Sequence, residues 1–222
     1  MNIDFETLKK YYLHQICSHE VWRSIEWNGV PFQQIPEDIV ALAEAVNQAR
    51  PDAVVEVGVY DGGGLEFYST LLASNPRGLV IGVDLKIRDK AKGVTDRHMD
   101  RVKLVCGDSV NAETVKAVRD LAGDRRILVV LDGDHAATHV GRELDLYAPM
   151  VSPGSYLIVM DGAIKDLVGV RKIPDDADTN NPDKAVEQFL PSHPEFERDI
   201  TKNRFGPSLA PGGFLRKKIS FS

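Results

Sequence analysis

Apolar residues along the chain fall into two alternating kinds of run. Short stretches dense in Val, Ile and Leu occur at 53–59 (AVVEVGV), 78–85 (GLVIGVDL), 102–108 (VKLVCGD), 127–133 (ILVVLDG) and 155–162 (SYLIVMDG). A strand with one wet face alternates apolar and polar residues. Nearly continuous apolar character instead predicts parallel strands covered on both faces. Between these runs, at 64–75, 111–123 and 139–151, apolar residues recur every three or four positions, with Asn75-Pro76 and Gly123 as stops. That is the spacing of amphipathic helices. PEDIVALAEAVNQARPD, with Pro36 in its first turn, predicts a further helix over one sheet face. Five strand–helix units in succession predict an α/β fold with a doubly wound, mostly parallel sheet. Segments 196–200 (FERDI) and 213–219 (GFLRKKI) predict a C-terminal antiparallel pair at one sheet edge. The polar stretch 172–184 (KIPDDADTNNPDK) reads as a mobile loop, and 86–99 and 163–183 as variable loops around a substrate pocket. Residues 1–35 read as an N-terminal helical segment or lid, and 36–222 as the main globular unit.

Composition narrows the function classes. At 222 residues, 43% hydrophobic and 27% charged, the chain has the make-up of one globular domain. No apolar run is long enough to cross a membrane, and the N-terminus lacks the basic start and apolar core of a signal peptide. A net charge of -6 without a Lys/Arg tract argues against nucleic acid and anionic membranes as partners. The expected partner is a small-molecule acceptor, and self-association into a homo-oligomer is left open. Two cysteines, Cys17 and Cys106, make neither a disulfide framework nor a metal knuckle, and the cytoplasm is the expected location. Cys106, inside an apolar run, is expected in the core.

The chemistry gathers at the strand ends, where ligands bind in such sheets. The first strand runs into EVGVYDGGG, with Glu56, Gly58, Tyr60, Asp61, Gly62 and Gly63 ahead of a helix N-terminus. Glycines there let the backbone turn sharply and approach a ligand closely. Asp84 ends the second strand, where a carboxylate can accept ribose hydroxyls; Asp108 and Ser109 end the third, where an adenine edge would lie. These residues point to a nucleoside-containing cofactor. Glu56 and Asp61 beside the turn disfavour a diphosphate and suit a ligand with a cationic amino-acid part, S-adenosylmethionine above NAD. The fourth strand ends in LDGDHAATH, adding Asp132, Asp134, His135 and His139 to the same rim, and the fifth ends on Asp161. His135 fits a general base, since an unperturbed imidazole titrates near physiological pH; His139 would share the site or cap a helix.

The chain resembles the cephalosporin hydroxylase and rhamnosyl O-methyltransferase family in WNGVPFQQIPED (27–38), EVGVYDGGG (56–64), the block LDGDHAATHVGRELDLYAPMVSPGSYLIV (131–159), AVEQFLPSHPEFERDI and PGGFLRK. The resemblance implies a Rossmann-like class I methyltransferase fold, bound S-adenosylmethionine and often a divalent metal such as Mg2+. It also implies acceptors that are hydroxyls of sugars or secondary metabolites. By the same resemblance the metal would be held at Asp132, Asp134 and Asp161. Where this chain has Met160 the family usually has an acid, and a thioether is a poor ligand for Mg2+. That departure favours a metal-free reaction or transfer to an amine. Two further readings are an NAD-dependent oxidoreductase and a non-catalytic partner that binds adenosylmethionine.

Overall fold

The structure, a computed structural model, describes residues 4–204 and 206–219, so the outer ends of the two expected segments lie outside it. In chain order it contains α1 (Phe5–Ser18), β1 (Glu26–Trp27), β2 (Val30–Pro31), α2 (Pro36–Ala49), β3 (Ala53–Val57), α3 (Gly63–Leu71), β4 (Leu79–Asp84), α4 (Asp89–His98), β5 (Val102–Cys106), α5 (Ala112–Ala122), β6 (Ile127–Leu131), α6 (Ala137–Tyr147), β7 (Tyr156–Val159), α7 (Pro182–Phe189), β8 (Phe196–Arg198) and β9 (Phe214–Lys217). The seven-stranded sheet has the order β5-β4-β3-β6-β7-β9-β8. Strands β3 to β7 pair in parallel, whereas β9 runs antiparallel to both β7 and β8. The expected C-terminal pair is therefore present, with β9 built into the sheet and β8 at the edge.

Alternate residues of the same apolar runs serve opposite sheet faces. Val55, Val57, Val129, Leu131, Leu157 and Val159 pack with α5, α6 and α7; Val54, Val80, Leu128, Val130, Ile158 and Met160 pack with α2, α3 and α4. Every residue of β3 and β6 is buried, which is why their sequences carry no polar phase. The helix over 36–49 starts with Pro36, carries Glu37 and Asp38 in its first turn, and buries Ala41, Leu42, Ala45, Val46 and Ala49 at helical spacing. A third, smaller cluster joins Leu13 of α1 to Ile35, Ala163, Leu167, Val170 and Leu209.

Three expectations need correcting. Residues 89–98, read as loop, form α4, which buries only Ala91 and Val94 and so shows little apolar periodicity. The stretch 172–184 is a succession of hydrogen-bonded turns leading into α7: Asn180 accepts the N–H of Ala137, and Asn181 caps α7 through Lys184. Its polarity serves turn and cap bonds. Cys106 is exposed, because β5 is the outermost strand on its side of the sheet.

Strand direction reverses its winding between β3 and β6, which are neighbours although the chain visits β4 and β5 between them. The register pairs Val57 with Leu131, and the Asp132 N–H donates to the Val57 carbonyl (2.8 Å). Gly58 and Asp132 thus lie side by side at the switch point, where this fold class binds ligands.

Candidate active site

After β3 the chain turns through Gly58, whose φ of 92° lies in the left-handed region. A Cβ there would sit 2.2 Å from the Asp132 carbonyl oxygen, so only glycine lets the two strand ends approach. Gly62 forms the N-cap of α3 and Gly63 its first residue. A Cβ on Gly64 would meet the Glu56 carboxylate, which is packed against the start of this helix. Asp84 holds the turn from the other side: its Oδ2 accepts the N–H groups of Val59 and Tyr60, and its Oδ1 accepts that of Lys86, each at 3.0 Å. A carboxylate offers about four acceptor positions, so one remains on Oδ1 for a ligand hydroxyl. Tyr60 has a φ of 49° and carries the Arg88 guanidinium 3.6 Å from its ring centroid.

Two cavities flank Gly58, and Gly58, Tyr60, Asp132 and Gly133 line both. The second, about 220 Å³, contains Asp84, Asp108, Ser109, Asp134, His139 and Glu143. The first, about 340 Å³, has a polar floor of Gln34, Glu56, Asp132, His135 and Asp161. Its walls are mostly apolar, among them Trp22, Phe32, Ile164, Leu167, Val170 and Leu209. The expected residues are thereby sorted: Asp84, Asp108, Ser109, Asp134 and His139 on one side, Glu56, Gly63, His135 and Asp161 on the other.

Carboxylates crowd the larger cavity. Burial, with Asp84 nearby, pushes Glu56 up to about 8, and its Oε2 is buried without a hydrogen-bond partner. Asp132 is raised well above the ordinary carboxylate range, first by burial and then by Asp161 and Glu56; the Gln34 amide opposes this by donating to Oδ2 (2.9 Å). Burial and Asp161 also push the Cys17 thiol, on the same cavity wall, up to about 11. Asp61 contributes less than its sequence position suggests, because Arg88 (3.4 Å) and Lys90 (3.2 Å) offset it.

His135 precedes α6, and its Nε2 lies 3.6 Å from Asp161 Oδ2. Asp161 adopts a φ of 59°, a conformation that Asp tolerates better than most side chains. His139 belongs to the first turn of α6 and faces the other cavity, with Nε2 3.1 Å from Ser109 Oγ and 3.3 Å from Glu143 Oε1. Ser109 Oγ donates to Glu143 at 2.5 Å. The two histidines do not share a site.

Of the carboxylates expected as a divalent-cation set, Asp132 and Asp161 line the larger cavity together, and Asp134 does not join them there. Asp134 faces the second cavity and spends Oδ1 on the Ala136 N–H (2.7 Å), turning the chain into α6. Met160 is 2% exposed and belongs to the core beneath the sheet. Among the described residues no three or more His, Cys, Asp or Glu side chains form a metal-holding group.

Two polar residues of the site were given no role from the sequence. Gln34 is 2% exposed, and its partner Asp132 lies 98 residues away; the signal was a glutamine pair wedged between Phe32 and Ile35. Glu143, 1% exposed, sits one helical turn after His139, a spacing that could have found it.

The rhamnosyl O-methyltransferases of Mycobacterium tuberculosis (strain H37Rv) and Mycobacterium leprae are each 26% identical to this chain. The first aligns over 88% of this chain and 79% of its own length, the second over 89% and 85%. A solved Mg-SAM structure of CmcI shares the fold with a TM-score of 0.63 at 18% identity, over 89% of this chain and 78% of its own. No helix among the described residues is long and apolar enough to cross a membrane. The family model for Rhamnosyl O-methyltransferase/CmcI matches residues 19–218, and the chain belongs to that family.

Proposed function

We propose that the chain is an S-adenosylmethionine-dependent O-methyltransferase that acts on a hydroxyl of a sugar or secondary metabolite. The observation that carries this reading is the pair of cavities meeting at Gly58, one lined by Asp84 and Asp108, the other floored by Glu56. The smaller cavity suits the adenosine half: Asp84 Oδ1 accepts a ribose hydroxyl, and Asp108, Ser109 and His139 surround the base. Glu56 faces the amino-acid half, whose ammonium restores to the buried carboxylate the partner it lacks. The sulfonium then lies near Gly58, with the apolar-walled remainder of the larger cavity open to the acceptor. The described part of the N-terminal segment, residues 4–35, acts as a lid: Cys17 and Trp22 stand in the cavity wall and Leu13 packs beneath it.

Methyl transfer to oxygen needs an in-line acceptor and removal of one proton. The acceptor oxygen displaces S-adenosylhomocysteine from the methyl carbon, and His135 takes the hydroxyl proton. Asp161 orients the ring and stabilises the imidazolium that results. The related CmcI structure carries Mg2+ by its description. The oxygen donors here do not fit that ion: Asp134 is committed to a turn in the other cavity, and Met160 replaces a hard ligand with a buried thioether. No step is routed through a metal. Residues 19–218 match the family model, and that match favours methyl transfer over hydride transfer.

The test is turnover. S-adenosylhomocysteine release is measured against a panel of hydroxylated glycosides and polyketides, with the corresponding amines and NAD in parallel. Hydroxyl-dependent release supports the reading. Release with amines alone, or nicotinamide turnover, would overturn it.

A further inference from the structure

Where the N-terminal segment meets residues 170–174, the larger cavity is lined by one carboxylate and three cations: Glu20, Arg23, Arg171 and Lys172. The three cations are exposed, which puts them at the mouth of the cavity rather than on its floor. Lys172 Nζ donates to Glu20 Oε1 at 2.7 Å, and Arg23 Nη1 lies 3.5 Å from Glu20 Oε2. The bond from Lys172, and then the charges of Arg23, Lys172 and Arg171, hold the Glu20 carboxyl below its ordinary range. All three cations thus stand around a single carboxylate. Three against one leaves two positive charges in excess, in a chain whose net charge is -6.

Tying the N-terminal segment to this loop needs only one cation on Glu20. Lys172 fills that role, and the Lys10–Asp166 pair (2.8 Å) adds a second tie. Arg171 makes no ion pair among the described residues, and Arg23 stands with its guanidinium carbon 4.9 Å from the ring centroid of Trp22, a residue of the cavity wall. Nearby acids do not cancel the excess. Asp61 is offset by Arg88 and Lys90. Asp175, Asp176 and Asp178 follow on the same loop but do not line the cavity, and Asp176 is bonded to Asn180. The cavity is therefore polarised, with Glu56, Asp132 and Asp161 on its floor and cations at its mouth. Charge of one sign beside low-dielectric walls concentrates ligands of the opposite sign, and a guanidinium fork matches an oxyanion. We propose that the acceptor is an organic acid: its apolar body lies along Trp22, Leu167, Val170 and Ile173, and its oxyanion is received at the mouth by Arg171 with Arg23 and Lys172. The floor carboxylates repel that oxyanion, so the same charge pattern turns the acceptor's hydroxyl inward, towards His135. This rests on the methyl-transfer reading above and narrows its acceptor class.

The test pairs two ligands with two variants. 8-Anilinonaphthalene-1-sulfonate and N-phenyl-1-naphthylamine share one aromatic body, and only the first carries an oxyanion. Both are titrated by fluorescence into the parent saturated with S-adenosylhomocysteine, into Arg171→Gln, and into the double variant that adds Arg23→Gln. Both arginines are exposed, so neither change disturbs the core. Arg171→Gln should weaken the sulfonate about threefold to tenfold and the neutral probe less than about twofold, as partly solvated charge-assisted bonds imply. The double variant should lose about tenfold or more for the sulfonate alone. Turnover supplies a second arm, in which glucuronides of the acceptor panel are compared with their methyl esters. The acids should have the lower KM, and Arg171→Gln should raise it about threefold or more for the acids and not for the esters. Equal losses for both probes, or no loss for either, would overturn the assignment, as would esters turned over as well as the acids. Loss of S-adenosylhomocysteine affinity in the variants would place these cations on the cofactor's own carboxylate and overturn it too. Methyl transfer stands in each of those cases. If no hydroxyl is methylated by the parent, that reading falls and takes this assignment with it.

Discussion

Replacing Glu56 by Gln should stabilise the ligand-free chain and weaken cofactor binding at the same time. Burial and the neighbouring Asp84 carboxylate move Glu56 from 4.5 to about 8. The native chain therefore holds a proton that the unfolded chain releases as pH rises through 4.5. With more protons bound in the native state, stability falls as pH rises from about 4.5 to about 8. At roughly 1.4 kcal/mol per tenfold, that displacement corresponds to at most about 5 kcal/mol. Solvent in the cavity reduces the cost, and the expected gain for Glu56→Gln is about 2–4 kcal/mol at pH 8, shrinking towards zero near pH 5. Asp38, pushed to about 7 chiefly by burial, adds the same fall in both proteins, whereas Asp132, raised in part by Glu56, is relieved of that part in the variant and adds to the difference in the same direction. Urea unfolding at pH 5, 6, 7 and 8 measures it. Calorimetry with S-adenosylmethionine at pH 7, in buffers of different ionisation enthalpy, should find about one proton released by the parent and none by the variant. A stability difference that does not grow with pH, or a variant less stable than the parent at pH 8, would refute a neutral, unpartnered Glu56.

Loss of a general base typically costs about 10² to 10⁴ in rate. His135→Ala should lower turnover by that order while leaving cofactor affinity within about twofold, as steady-state kinetics and calorimetry would establish. His139→Ala should do the reverse, weakening cofactor binding through Ser109 and Glu143 with a smaller effect on turnover at saturation. Exhaustive chelation should leave activity unchanged, since no metal-holding group is assembled among the described residues; loss restored by added Mg2+ would show that the cofactor-bound chain gathers one.

Much of the fold was legible because the buried strands are written almost without polar letters, and their ends carry the acids and glycines of the site. Glu56, Gly58, Asp84, Asp108 and Asp132 all lie at the switch-point rim, as their strand-end positions imply. What was not legible depended on distant partners. Gln34 acquires its meaning from Asp132, 98 residues away. His135 and His139 are four residues apart, yet α6 begins at Ala137 and sends them into different cavities. Exposure of Cys106 follows from β5 being outermost, a fact of strand order that no local pattern carries. The β1–β2 hairpin was readable and was missed: Asn28-Gly29, with φ of 49° and 76°, is the residue pair that such two-residue turns favour.

The central claim is that adenosylmethionine binds across the two cavities that meet at Gly58, with its ribose on Asp84. Calorimetric titration of S-adenosylmethionine into the parent chain and into Asp84→Ala tests it most directly. The parent should bind one equivalent, and the variant should bind about tenfold or more weakly, through loss of the ribose bond and of the three backbone N–H contacts that hold the glycine turn. Unchanged affinity in Asp84→Ala, or no binding by the parent, would contradict the account.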